Sequence, residues 1–178
     1  MHGTGQPSPL LTLAAEPLAQ CPPGPVLDLA CGAGRNGLAL ARAGLPVWFA
    51  DRNRDALDKV QQQLNGEGLS GVLWHRDLEQ PHRPALAGKR FAAILVFNYL
   101  HRPLLAELTQ ALLPGGLLIY ETFLRQQATL GRPRNPDFLL KPGELQQAFA
   151  SWQTIHYREG KQVDPERYSA QLVTRKPL

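Results

Sequence analysis

The chain has 178 residues, 43% of them hydrophobic, with 19 Lys or Arg against 15 Asp or Glu. That is enough for one hydrophobic core and excludes a chain too polar to fold, and no apolar run reaches the roughly 18 residues of a membrane span. The opening "MHGTGQPSPLLTLAAEPLAQ" has neither a basic region nor a long apolar stretch, so no signal peptide is read and a cytoplasmic protein is expected, one domain over residues 1–178. Cys21 and Cys31 suggest no disulfide framework, and the five histidines lack ligand spacing, so no metal is expected.

Residues 1–24 read as an amino-terminal helical segment. "VLDLA" is then a buried first strand running into "CGAGRNG", where Gly32, Gly34 and Gly37 have the G-x-G-x-x-G spacing of dinucleotide-binding turns. The following helix carries Leu38, Leu40 and Ala41 and stops at Gly44. "PVWFAD" is a second strand ending at Asp51, followed by a helix over about 54–64 with Leu57, Val60 and Leu64 on one face. "GVLWHRD" is a third strand, and "FAAILVFN" is an apolar run suited to a strand covered on both faces. A helix with Leu104, Leu105, Leu108, Ala111 and Leu112 comes next, then a Pro-Gly-Gly turn and a fifth strand in "LLPGGLLIYETF". Residues 124–141 form the one long irregular stretch, of a length that often marks a functional loop or lid. Pro142 opens a short helix with Leu145 and Phe149, and "WQTIHYRE" and "RYSAQLVTRK" make two final strands. The alternation predicts an α/β protein with a doubly wound, mostly parallel seven-stranded sheet closed by an antiparallel edge hairpin.

Charge is distributed unevenly. Residues 1–121 hold ten basic and ten acidic side chains, and residues 122–178 hold nine and five, so the whole excess lies in the last third. That third is expected either to meet an anion or merely to keep the surface soluble.

Open α/β sheets bind ligands at the carboxyl ends of their strands. Asp28 precedes the glycine turn, Asp51 closes the second strand nineteen residues after Gly32, and Asp77 follows the third strand. An acid at Asp51 can accept from both ribose hydroxyls, as in NAD sites. Asp28 would repel a pyrophosphate and suit a cationic amino-acid group, and Asp77 can accept from an adenine amino group. Each acid also has a structural explanation, Asp28 in fixing the turn and Asp77 in capping "LEQP". Together they favour an adenosine-bearing cofactor other than NAD, and no length remains for a dehydrogenase's substrate domain.

"LDLACGAGRN", the acid of "WFADRN", "RDLEQ", "VFNYLHR" and "LLPGGLLIYETF" resemble, in order over residues 25–123, the motifs of class I S-adenosylmethionine-dependent methyltransferases. "CGAGRN", "NPDFLLKPGEL" and "RYSAQLVTRK" resemble the tellurite-resistance methyltransferase group in particular, although "REGKQVDPER" stands where that group has a His-Arg pair and only Arg167 matches. The resemblance implies S-adenosylmethionine as cofactor, with S-adenosylhomocysteine as product, held by Asp28, Ala30, Gly32, Gly34, Arg35, Asn36, Asp51, Arg52, Asp77, Leu78, Phe97 and Asn98. Tyr99 and His101 are candidates for orienting an acceptor or moving a proton. Arg134, Phe138 and Arg167 are candidates for holding an anionic small molecule, with residues 124–141 as substrate loop or lid. Two other functions fit the same residues: an RNA methyltransferase using the basic last third, and a non-catalytic cofactor-binding protein acting through partners. The first lacks aromatic-basic interleaving, and the three strand-end acids argue against the second.

Overall fold

The computed structural model describes residues 5–80 and 83–178; residues 1–4 of the expected amino-terminal segment lie outside them. Seven strands form one sheet: β1 (Val26–Leu29), β2 (Val47–Asp51), β3 (Val72–His75), β4 (Phe91–Phe97), β5 (Leu112–Phe123), β6 (Gln153–Val163) and β7 (Glu166–Arg175). Their order is β3-β2-β1-β4-β5-β7-β6, with β7 antiparallel to both its neighbours and every other pairing parallel. The expected doubly wound sheet with an antiparallel edge hairpin is therefore the architecture.

Side chains alternate across the sheet and build two cores. On one face Leu27, Leu29, Ile94, Val96, Leu118 and Tyr120 pack with Leu104 and Leu108 of α5 (Leu104–Ala111) and with Leu145 of α7 (Glu144–Ala148). On the other, Val47, Phe49, Leu95 and Ile119 meet α1 (Pro9–Leu13), α2 (Ala15–Ala19), α3 (Arg35–Arg42) and α4 (Arg54–Gly66) through Leu10, Leu18, Leu38, Val60 and Leu64. β4 is buried at all seven positions, as its unbroken apolar run requires. Gly44 has φ +85° just past the end of α3, the left-handed conformation expected of a helix-stopping glycine.

Three elements differ from the sequence expectation. The Pro-Gly-Gly segment does not interrupt β5, which runs from Leu112 through it; a register shift against β4 between Phe91 and Ala93 absorbs the irregularity. Residues 124–141 contain a short α6 (Gln127–Leu130) and a 3-10 turn at Pro136–Phe138, and the base of the loop is pinned by the Leu124–Leu140 bridge. α4 continues two residues beyond Leu64.

The edges matter for placing the site. β5 last pairs with β7 at Phe123 and Ser169, while β6 and β7 stay paired out to Val163 and Glu166. The hairpin therefore overhangs the carboxyl end of β5. A register shift between Thr154 and His156 interrupts β6 near its start. Among the described residues no helix is long and apolar enough to cross a membrane.

Candidate donor and acceptor site

β1 lies between β2 and β4, so the connections from β1 and β4 leave toward opposite faces and open a crevice at their carboxyl ends. Two cavities occupy it. The larger, about 610 Å³, is lined by Asp28, Ala30, Cys31, Gly32, Arg35, Asn36, Phe97 and Asn98, by Asn53, Ala56 and Lys59 around the start of α4, and by Gly5. The smaller, about 160 Å³, is lined by Ala30, Asp51, Arg52, Arg76, Asp77, Leu78, Glu79 and Tyr99. Ala30 borders both.

The glycine turn shapes the first cavity by three separate means. Gly32 has φ +54° and a Cβ there would meet nothing within 4 Å, so its side-chain position is open space on the cavity wall. Gly34 lines neither cavity: with φ +74°, a Cβ would come within 2.7 Å of Val60, so it serves the packing of α3 on α4. A Cβ on Gly37 would lie 2.5 Å from Phe49 and 2.7 Å from the Asp28 carboxylate, which makes glycine the condition for α3 to approach the sheet. Ala30 and Asn98 also have positive φ, +54° and +55°, and both line the cavity. Strain of this kind in residues with a Cβ persists where the surroundings hold it, commonly at functional sites.

Asp28 is 3% exposed and its Oδ2 accepts from the Gly37 N–H at 2.8 Å. Burial pushes its carboxyl up to about 7, against the opposing effects of that hydrogen bond and the nearby Arg35 guanidinium; the charge of Asp51 adds to the rise. Asp51 ties the turn to β2: its Oδ2 accepts from Gly32 N–H and its Oδ1 from Asn53 N–H, each at 2.8 Å. Each oxygen retains a lone pair for a ligand. Asp77 accepts from Glu79 N–H at 3.0 Å, so it turns its own loop as well as lining the smaller cavity. Burial raises the Cys31 thiol far above its ordinary range, which makes it inert wall.

The residues expected to handle an acceptor are placed differently. Tyr99 lines the smaller cavity, not an acceptor mouth, and its hydroxyl donates to Glu79 at 3.2 Å. Burial, reinforced by Glu79, raises its pKa well above the usual phenol, so Tyr99 is unsuited as a base. Arg167 is likewise not a free cation: its guanidinium donates to the buried Glu121 and, at 2.7 Å, to Gln162. His101, Arg134 and Phe138 line neither cavity; Arg134 and Phe138 are exposed. Arg35 donates to the Gln6 carbonyl at 3.0 Å and Asn36 accepts from Ser8 N–H at 2.8 Å, so both support the turn while lining the cavity.

Sequence reasoning missed Glu79, Arg76, Lys59 and the approach of Gly5. It also missed Arg102, which grips the 124–141 loop by the Asp137 and Leu139 carbonyls, each at 2.9 Å, and is itself held by a bidentate pair with Glu144 of α7 at 2.7 and 3.0 Å. Only "RDLEQ" pointed toward Glu79; nothing local signals the others.

The paired cavities fit a ligand in two parts. The open space at Gly32 would accept an amino-acid chain, beside a helix start and an acid that a cationic group would hold ionised. The acids lining the smaller cavity suit a nucleoside, and the buried Nε of Arg76 there has no partner. Residues 26–116 match the model of a methyltransferase domain family. The chain belongs to that methyltransferase family. It is 30% identical over 105 residues to "Uncharacterized methyltransferase YodH" of Bacillus subtilis (strain 168), a match covering 57% of this chain and 44% of that protein. The fold is similar to TehB from Haemophilus influenzae, with TM-score 0.76 and 20% identity over 94% of this chain and 61% of that one. It is also similar to an S-adenosylmethionine-dependent methyltransferase from Clostridium acetobutylicum ATCC 824, with TM-score 0.70 and 13% identity over 95% and 89% of the two chains. The methyltransferase chain thus spans less than half of its curated relative and under two thirds of TehB.

Proposed function

We propose that the chain transfers a methyl group from S-adenosylmethionine to a small acceptor that arrives already nucleophilic, such as a thiolate or chalcogen anion. The observation that carries the reading is the pair of cavities meeting at Ala30, with Asp51 lining one and bonded to the turn that lines the other. Asp51 would hold the ribose; Asp77, Leu78 and Glu79 would frame the adenine; Gly32, Asn36 and Asp28 would surround the amino-acid end. The cofactor, when bound, supplies an electrophilic methyl on a sulfonium, displaced in line by the acceptor. The protein's own contribution is to hold the partners in near-attack geometry and exclude water.

The acceptor's character follows from the walls. Among the described residues neither cavity is lined by a histidine, and Tyr99 is held protonated, so an acceptor that needs no base suits the site. The hairpin overhang and the Arg102-gripped loop enclose the carboxyl end of β5, which favours a small molecule over a flat macromolecular surface. RNA is the second reading, favoured by the exposed Arg125, Arg132, Arg134 and Lys141 of that loop.

Calorimetry tests the donor: S-adenosylhomocysteine should bind with micromolar affinity and NAD should not. Methyl transfer assayed on thiols, chalcogen oxyanions, carboxylic acids and bulk tRNA tests the acceptor. Micromolar tRNA affinity whose logarithm falls by several units per decade of salt would turn the reading to RNA, since each phosphate contact adds about one unit of slope.

A further inference from the structure

The carboxylate of Glu121 lies inside the sheet at 1% exposure. A buried charge is costly unless partnered, and the carboxylate's two partners come from opposite ends of the chain. Oε2 accepts from the Ser8 hydroxyl at 2.8 Å. Oε1 accepts from Arg167 on the overhanging hairpin, whose Nε is braced on Gln162, itself donating to Ser169 at 2.7 Å. The backbone carbonyl of Glu121 accepts from Asn98 N–H at 2.8 Å, at the positive-φ position on the wall of the larger cavity.

Ser8 is the end of a strap. Gly5 lines the larger cavity, the Gln6 carbonyl takes Arg35, the Ser8 N–H donates to Asn36, and the Ser8 hydroxyl caps α1 at Leu10 N–H. Arg35 and Asn36 are the first two residues of α3, directly after the glycine turn. The strap therefore crosses the amino-acid end of the donor cavity and is fastened to the turn on one side and to Glu121 on the other.

We propose that Glu121 is a positioning residue that couples closure of this strap to docking of the β6–β7 hairpin, so that the donor is sealed only when the acceptor-side wall is in place. The proposal rests on the methyl-transfer reading for the identity of the donor, but the coupling is a property of the chain itself. Arg167 neutralises the carboxylate; without it Glu121 is a buried anion held by one hydroxyl, and the site relaxes by letting water in where Ser8 is seated. A bond on the hairpin thereby controls a segment 159 residues away in sequence.

The test uses the full chain and two readouts. Amide hydrogen exchange of the free protein follows Ser8, Leu10 and Leu11, and stopped flow follows release of S-adenosylhomocysteine. Ser8→Ala and Arg167→Ala should each speed exchange at these amides and product release about tenfold, the scale of one charge-assisted hydrogen bond. The double variant should be no faster than the faster single variant, because both act through Glu121. Glu121→Gln, which keeps the shape and one acceptor oxygen, should fall between them and the wild type, and Gln162→Ala should give a smaller effect in the same direction if Arg167→Ala does not fold. A hairpin bond that is only a fold staple would lower the melting temperature of Arg167→Ala and leave strap exchange at the wild-type rate; that result, or additive effects in the double variant, overturns the coupling. Failure of the wild type to bind S-adenosylhomocysteine overturns the donor reading instead, while exchange in the free protein still decides the coupling.

Discussion

The donor half of the crevice and the acceptor half are built on different principles. Around β1, β2 and β3 the acids are fixed by backbone N–H groups of the turns and helix start that follow the strands: Asp28 by Gly37, Asp51 by Asn53 and by Gly32 of the adjoining turn, Asp77 by Glu79. Around β5, β7 and the 124–141 loop the polar groups are fixed by side chains far away: Arg102 by Glu144, and Glu121 by Arg167 and Ser8. The first arrangement is preorganised by the strand-turn-helix unit itself; the second exists only once the whole sheet has assembled. A site of this kind can revise its acceptor while the strand-end acids of the donor wall stay bonded, provided that the Glu121 link between the hairpin and Ser8 is kept.

The sharpest test of the donor half is pH. Asp28 ordinarily loses its proton near pH ~3.9, and burial holds it until about 7. Between those values the folded protein keeps a proton that the unfolded chain has released, so this contribution to stability is complete below about pH 4 and lost as pH rises through 7. Asp28→Asn keeps an acceptor for Gly37 and has no proton to lose. Its stability relative to wild type should therefore climb between pH 4 and 8, by on the order of 2–4 kcal/mol in urea melts; a flat difference would show that Asp28 is ionised in the fold throughout. Cofactor binding should show the opposite sign, with wild-type affinity rising over the same interval as the carboxylate becomes available to a cation.

Gly37→Ala should come next in size. A Cβ 2.5 Å from Phe49 cannot be accommodated without moving α3 off the sheet, at a cost of about 1–3 kcal/mol, seen as a melting temperature several degrees lower and as weakened cofactor binding. Asp51→Ala should cost less in stability and at least about tenfold in affinity for S-adenosylhomocysteine, the scale of one lost charge-assisted bond. Calorimetry reads it; unchanged affinity in a folded variant would remove Asp51 from the site.

The acceptor half supplies the smallest effect. Arg134 is exposed and forms none of the ion pairs among the described residues. Arg134→Ala should change stability by less than about 0.5 kcal/mol and leave cofactor affinity at the wild-type value. If it raises the KM of an active acceptor tenfold, the loop meets the substrate directly; if kinetics are unchanged, Arg134 is a solvated surface charge.

The same contrast explains what could be read from the residues alone. The placement of Asp28, Asp51 and Asp77 is legible because each lies at or close to the carboxyl end of a strand whose hydrophobic run is visible, and the topology then brings all three to one end of the sheet. Eleven of the twelve residues singled out for the cofactor line one of the two cavities, Gly34 being the exception. The partners of Tyr99 and Arg167 are not legible, because Glu79 and Glu121 lie 20 and 46 residues away and no periodicity encodes such a pairing. One of the positive charges counted in the last third, Arg167, is cancelled by Glu121 from outside it, which makes net charge a poor guide to an anion site. Arg102 looked like any residue after a strand, although it is the clamp on the loop.

The interrupted start of β6 bears on how the protein behaves in a crowded solution. An edge strand offers unpaired backbone groups to any other chain, and a long flat edge invites sheets to join. Here one edge, β3, is four residues long. The other, β6, is broken by the shift between Thr154 and His156 and carries Arg158 and Lys161 on exposed positions. One edge is short and the other is interrupted at its start and charged along its length, features that discourage the open sheet from growing by accretion of further copies. Deleting Ile155, and with it the irregularity, should make the protein more prone to assemble through its rim, read as a rise in apparent mass by light scattering.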